Sequence, residues 1–118
     1  MKKIVILICF LFAVNLSCDN AATQGIVKYE VTRSTPGFNV TYMNDGGNIE
    51  QIKVNSYAWS KVFTANSGSY VSVMAQANSE NSDVEVTISY NSKVIQKAKS
   101  SGDFVIANAT GTLPWISD

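Results

Sequence analysis

Val84-Glu85-Val86-Thr87-Ile88-Ser89-Tyr90, followed by Asn91-Ser92, is the stretch that decides the fold. Val84, Val86, Ile88 and Tyr90 recur at every second position, the alternation of a strand with one face in a core and the other in water. Asn91-Ser92 then separates this strand from Lys93 to Lys99, and two residues are enough to close a tight hairpin. In the return segment Val94 and Ile95 are out of phase. Upstream, Tyr70 to Ala77 alternates in the same way, between the turn Asn66-Ser67-Gly68-Ser69 and a polar loop from Asn78 to Asp83. Further upstream, Val27, Tyr29 and Val31 share one face of a strand from Ile26 to Arg33, ended by Ser34-Thr35-Pro36-Gly37. Phe38, Val40 and Tyr42 form the next strand, and Asn44-Asp45-Gly46-Gly47 supplies residues that accept positive φ for a hairpin back through Asn48 to Asn55. Ser56 to Ala65 carries Tyr57, Trp59, Val62 and Phe63, and the slip of phase between Trp59 and Val62 predicts a bend or bulge. Downstream, Ser100-Ser101-Gly102-Asp103 is a turn and Phe104 to Thr110 the last strand. Pro114 lacks an N–H, so Leu113-Pro114-Trp115 cannot continue a ladder.

Seven or eight short strands with no apolar stripe of helical spacing predict an all-β chain, an immunoglobulin-like antiparallel β-sandwich. No internal repeat argues for a propeller or solenoid.

The N-terminus has a different character. Lys2 and Lys3 precede an apolar run from Ile4 to Val14, too short to span a bilayer, and Asn15-Leu16-Ser17-Cys18 sets a small residue before a cysteine. This arrangement resembles the bacterial lipobox, in which the cysteine receives a diacylglycerol, the signal is cut, and an N-acyl chain is added to the new first residue. Residues 1–17 are then a cleaved lipoprotein signal peptide, 18–24 an acylated tether, and 25–118 a single sandwich domain. The expected location is the cell envelope, with the domain outside the cytoplasm and anchored to a bacterial membrane by fatty chains such as palmitate on Cys18. The competing reading is an ordinary secretory signal cut near Ala21-Ala22.

Composition narrows the chemistry. The chain has no histidine, which removes the commonest general base, the commonest zinc ligand and the Ser-His route to a nucleophile. Once the signal and Cys9 are gone, Cys18 has no cysteine to pair with, so the domain is held by burial and hydrogen bonds. From Cys18 onward seven Lys and Arg stand against nine Asp and Glu. This balance gives no footprint for nucleic acid and no basic run for an anionic membrane. The expectation is a protein that is not an enzyme and needs no cofactor or metal.

The order of short motifs adds a resemblance. Val27-Lys28-Tyr29-Glu30-Val31-Thr32, Val40-Thr41-Tyr42 before Asp45-Gly46-Gly47, Trp59-Ser60-Lys61-Val62-Phe63, Ala75-Gln76 and Val84-Glu85-Val86-Thr87-Ile88 together resemble the MmpS-like family of small extracytoplasmic domains, over about Val27 to Ala109. The resemblance implies a small β-sandwich and, from the mycobacterial members, an accessory role beside large membrane transporters. A lipid on Cys18 would stand in for the transmembrane helix of those members.

Several residues invite a binding role and have a plainer reading. Trp59 is expected in the core, with ligand stacking as the alternative. Trp115 either folds back over a sheet end or is exposed for a partner. Asn44, Asp45 and Asn48 offer oxygens to calcium but read first as a turn, and Glu80, Asp83 and Glu85 read as a solvated patch. Glu30 and Glu50 are the carboxylates within strands that could be imagined as a hydrolytic pair, and for Glu30 a cross-strand Lys is the simpler partner. Two function classes follow: an accessory module that docks by a sheet edge or face onto an envelope protein or transporter, and a free-standing module that binds a glycan or small ligand at the cell surface.

The anchor generates the first prediction. Acyl chains contribute about 0.8 kcal/mol per buried methylene, so chains on Cys18 hold the protein in the membrane. Cys18→Ser is expected to yield a soluble or unprocessed protein on fractionation; a mature-sized species that stays in the membrane contradicts the anchor.

Overall fold

The computed structural model describes residues 24–115. Cys18, the signal and most of the tether lie outside them. Eight strands form: β1 (Gln24–Thr32), β2 (Phe38–Met43), β3 (Ile49–Val54), β4 (Ala58–Asn66), β5 (Tyr70–Ala77), β6 (Ser82–Tyr90), β7 (Lys93–Gly102) and β8 (Ile106–Thr112). They make two antiparallel four-stranded sheets, ordered β4-β1-β6-β7 and β3-β2-β5-β8. This is the β-sandwich expected from the period-two pattern. β1 begins at Gln24, the last residue of the expected tether.

Alternation builds the core. Val27, Tyr29 and Val31 of β1 and Val84, Val86 and Ile88 of β6 are fully buried against Phe38 and Val40 of β2 and Val73 and Ala75 of β5. Burial of apolar surface at about 25 cal/mol per Å² is the main term that holds the sheets together. Two of the connections are hairpins within a sheet, and both fall where the turn residues predict them. Asn91 and Ser92 have φ of 52° and 69°, the two positive values of a type I′ turn. At the other hairpin the Asn44 side-chain oxygen accepts from the N–H of Gly46 and of Asn48, at 2.9 and 3.0 Å.

Three local expectations change. β4 pairs with β1 in one unbroken register from Ala58 to Asn66, so there is no bulge between Trp59 and Val62. Instead the inward face runs Trp59, Lys61, Phe63, Ala65, with a lysine among apolar residues, and Val62 points outward. The bulge lies in β7, where Ile88 pairs with Gln96 but Ser89 with Val94, leaving Ile95 as the extra residue. The last turn also moves. β7 continues to Gly102, and the Phe104 N–H donates to the Ser79 carbonyl at 2.9 Å, so the final strand starts at Ile106 and ends at Thr112.

The Tyr29 hydroxyl joins the sheets. The β2–β5 ladder runs from Phe38 opposite Ala77 to Tyr42 opposite Val73. At the next rung, Met43 and Ser72, the hydroxyl reaches across from β1, donates to the Met43 carbonyl at 2.8 Å and accepts from the Ser72 N–H at 3.2 Å. Burial raises the pKa of Tyr29, against the opposing effect of the Ser72 bond, and keeps the donor protonated. Tyr29→Phe leaves a carbonyl and an N–H without this partner, at a cost of about 1–3 kcal/mol. Thermal unfolding should show a fall in Tm of roughly 4–8 °C per kcal/mol; an unchanged Tm would show that the bridge adds nothing.

Candidate functional site

The two long sides of the sandwich differ. On one side β7 and β8 lie close together. The Ser100 hydroxyl donates to the Ile106 carbonyl at 2.7 Å, and the Gln96 side chain packs on Gly111, where an added Cβ would come within 3.3 Å of it. On the other side β3 and β4, which like β7 and β8 each pair with one neighbour only among the described residues, are not drawn together in this way. Their inward faces line an open mouth.

The register identifies the lining. Tyr42 pairs with Glu50, Val40 with Ile52 and Phe38 with Val54, so Glu50, Ile52 and Val54 share the inward face of β3. Opposite them β4 presents Trp59, Lys61 and Phe63. Aromatic rings close the floor: Tyr42 lies 5.1 Å from Trp59, centroid to centroid, and Tyr29 lies 5.2 Å from Phe63 and 6.0 Å from Tyr42 in edge-on geometry. Trp59 therefore packs on the margin of the core and not in its middle. Ile52 is 42% exposed at the lip.

Two charges stand in this mouth. Glu50 accepts from Asn44 Nδ2 at 2.5 Å and from the Tyr42 hydroxyl at 3.0 Å, and these bonds, in that order, hold its carboxyl below the usual glutamate range, with a smaller pull from Lys61. Burial, then Glu50, raises the pKa of Tyr42. A charge that points inward on an edge strand discourages indiscriminate strand addition and requires polar complementarity from whatever binds. Near the base of the mouth, a recess of about 360 Å³ is lined by Met43, Phe63, Ala65, Tyr70, Val71 and the 44–47 turn.

The other sequence candidates fall elsewhere. Glu30 points outward on β1 and Glu50 inward on β3, on different sheets, so they form no pair. Glu30 meets Lys28, two residues along its own strand, at 3.4 Å; its cross-strand neighbours are Ser60 and Thr87, which carry no charge. The acidic patch is divided: Asp83 accepts from the Ser34 hydroxyl and, at 3.2 Å, from the Ser34 N–H, contacts that lower its pKa, while Glu85 pairs with Lys97 at 3.4 Å. Asn44 spends its oxygen on the turn. Among the described residues no three His, Cys, Asp or Glu side chains come together as metal ligands. Leu113 folds back and is buried, exchanging backbone bonds of 2.8 Å with Gly68 and Ser69, whereas Trp115 lies against Gly68 and remains 73% exposed.

Sequence reasoning passed over Arg33. It is 5% exposed and, among the described residues, has no carboxylate at ion-pair distance. Its guanidinium donates to the Gly37 carbonyl, to Ser79 Oγ at 2.8 Å and to Ser82 Oγ at 2.9 Å, and so ties the 33–37 and 78–82 loops together. Its standing as the chain's single arginine, beside a turn, was the available signal, since a planar fork suits several carbonyl and hydroxyl acceptors at once.

No protein-family model and no curated protein matches the chain.

The Glu50 contacts predict a pH dependence. A depressed carboxylate contributes stability that is present above its ordinary pKa and is lost as the pH falls through the lowered folded value. Glu50→Gln is therefore expected to lose less stability than the wild type in denaturant titrations between neutral pH and about pH 3. Equal losses would show that the Asn44 and Tyr42 bonds do not favour the ionised form.

Proposed function

We propose that the protein is a lipid-anchored, non-catalytic accessory module of the bacterial cell envelope, which binds an extended segment of another envelope protein along its open β3–β4 side. The observation that carries this reading is the aromatic-floored mouth between β3 and β4, two edge strands each paired on one side only among the described residues; β7 and β8 are edges as well, but they pack on each other. An extended peptide added to such an edge gains main-chain hydrogen bonds, and alternate side chains enter the pockets between the sheets. Glu50 and Lys61 then select a partner with charges in the complementary order. The sequence resemblance to the MmpS-like family makes a membrane transporter the leading class of partner.

A non-catalytic role agrees with the absence of histidine and with the separation of Glu30 from Glu50. The glycan-binding alternative finds its best place on the outer face of β2, β3 and β5. A shallow groove there, of about 420 Å³, is lined by Asn39, Thr41, Gln51, Lys53, Met74 and Gln76, with Ile52 reaching its rim from the strand edge, and includes no aromatic ring on which a sugar could stack. The open edge is the better supported site.

A photo-crosslinking residue in place of Ile52, in cells that carry the intact acylated protein, should give a discrete adduct with one partner. The same group in place of Asn108, exposed on β8 at the closed side, should give none. Adducts from Asn108 and none from Ile52 would move the docking surface to the other side of the sandwich.

A further inference from the structure

Every exposed large apolar side chain can be placed by register at one end of the sandwich, the other, or the middle. The end where β1 begins, here called the base, also holds the 44–48 turn, the 66–69 loop, the Asn91-Ser92 turn and the chain past β8. Ile26, Ile49, Tyr70, Val94 and Trp115 all lie at this end, each about half exposed or more. Alternation puts Ile26 and Val94 on the outer face of the β4-β1-β6-β7 sheet, and Ile49 and Tyr70 on the outer face of the other. Trp115 stands between them, held in place by the Leu113 backbone bonds to Gly68 and Ser69. The five residues therefore surround the base on both faces.

We infer that this girdle is a membrane-contact surface, seated in the interfacial region of the lipid bilayer that holds the anchor. The inference rests on acylation at Cys18, as proposed above. Five residues, 19 to 23, separate Cys18 from the start of β1. At no more than about 3.6 Å per residue, the base is kept within roughly 20 Å of the acylated cysteine. A flat protein partner would cover one outer face and leave the other wet, whereas a bilayer interface wraps the whole end. Trp and Tyr, with an apolar body and a polar tip, are the residues that favour that region. The opposite end also exposes Tyr57, Phe104 and Ile106, but it lies a full strand length from the start of β1 and so from Cys18, and it holds the carboxylates of Glu80, Asp83 and Asp103 where the turns of the base hold that of Asp45. Seated in this way, the protein holds the strands upright on the membrane with the β3–β4 mouth facing sideways.

The test uses the acylated chain in vesicles of phosphatidylethanolamine and phosphatidylglycerol, with and without bromine in the upper part of the acyl chains. Trp115 is one of two tryptophans, so brominated lipid should remove up to about half of the emission, and Trp115→Phe should abolish that loss. Flotation of the same samples reports the anchor separately. Protein that floats with unquenched emission overturns the girdle and leaves the anchor standing; protein that fails to float overturns both. Quenching that persists in Trp115→Phe comes from Trp59 and also overturns the proposal, because the mouth and not the base would then face the lipid.

Discussion

The hydroxyl of Tyr29 is the contact around which the sandwich is arranged. It belongs to one sheet and satisfies the next rung of the other sheet's β2–β5 ladder, so the two layers share a hydrogen-bonded joint as well as apolar burial. A buried tyrosine oxygen without partners would be costly, and so would the Met43 carbonyl and the Ser72 N–H. One group settles three requirements. The joint also fixes the ring of Tyr29 against Tyr42 and Phe63, which places the floor of the mouth.

From that joint outward, the two sides of the molecule take different forms. The β7–β8 side is drawn in by a residue without a side chain, Gly111, beneath Gln96, and by the Ser100 hydroxyl on the Ile106 carbonyl. The β3–β4 side has inward-pointing charges where apolar residues would close it. Glu50 and Lys61 cannot be buried without loss, so their strands stay apart and Trp59 behind them stays only partly buried, over the buried ring of Tyr42. A sandwich with one closed side and one open side fits the proposed role, in which a partner is held in a defined direction.

Much of the fold was legible because strand alternation and turn chemistry are local. Asn44-Asp45-Gly46-Gly47 and Asn91-Ser92 mark the two hairpins within sheets, and β5 runs from Tyr70 to Ala77 as the pattern indicates. The bulge lies in β7 and not in β4, although the two phase slips look alike in sequence. In β4 the slip comes from Lys61 facing inward, a demand of the mouth, while in β7 it is a true extra residue, Ile95. The site was much less legible. Which strands become edges depends on pairings between segments far apart in sequence, so neither the exposure of Ile52 nor the meeting of Tyr42 with Trp59 follows from period two. The buried fork of Arg33 likewise depends on loops 45 residues apart in the chain, as its contact with Asn78 shows.

The central claim is that the open edge formed by β3 and β4 is where a partner binds. Hydrogen exchange of the acylated protein in its native membranes, compared with the same protein purified in detergent, tests it most directly. The account predicts slower exchange of β3 and β4 amides in the membranes, with β7 and β8 unchanged. Equal exchange in β3 and β4, together with slowing confined to β7 and β8, would contradict it.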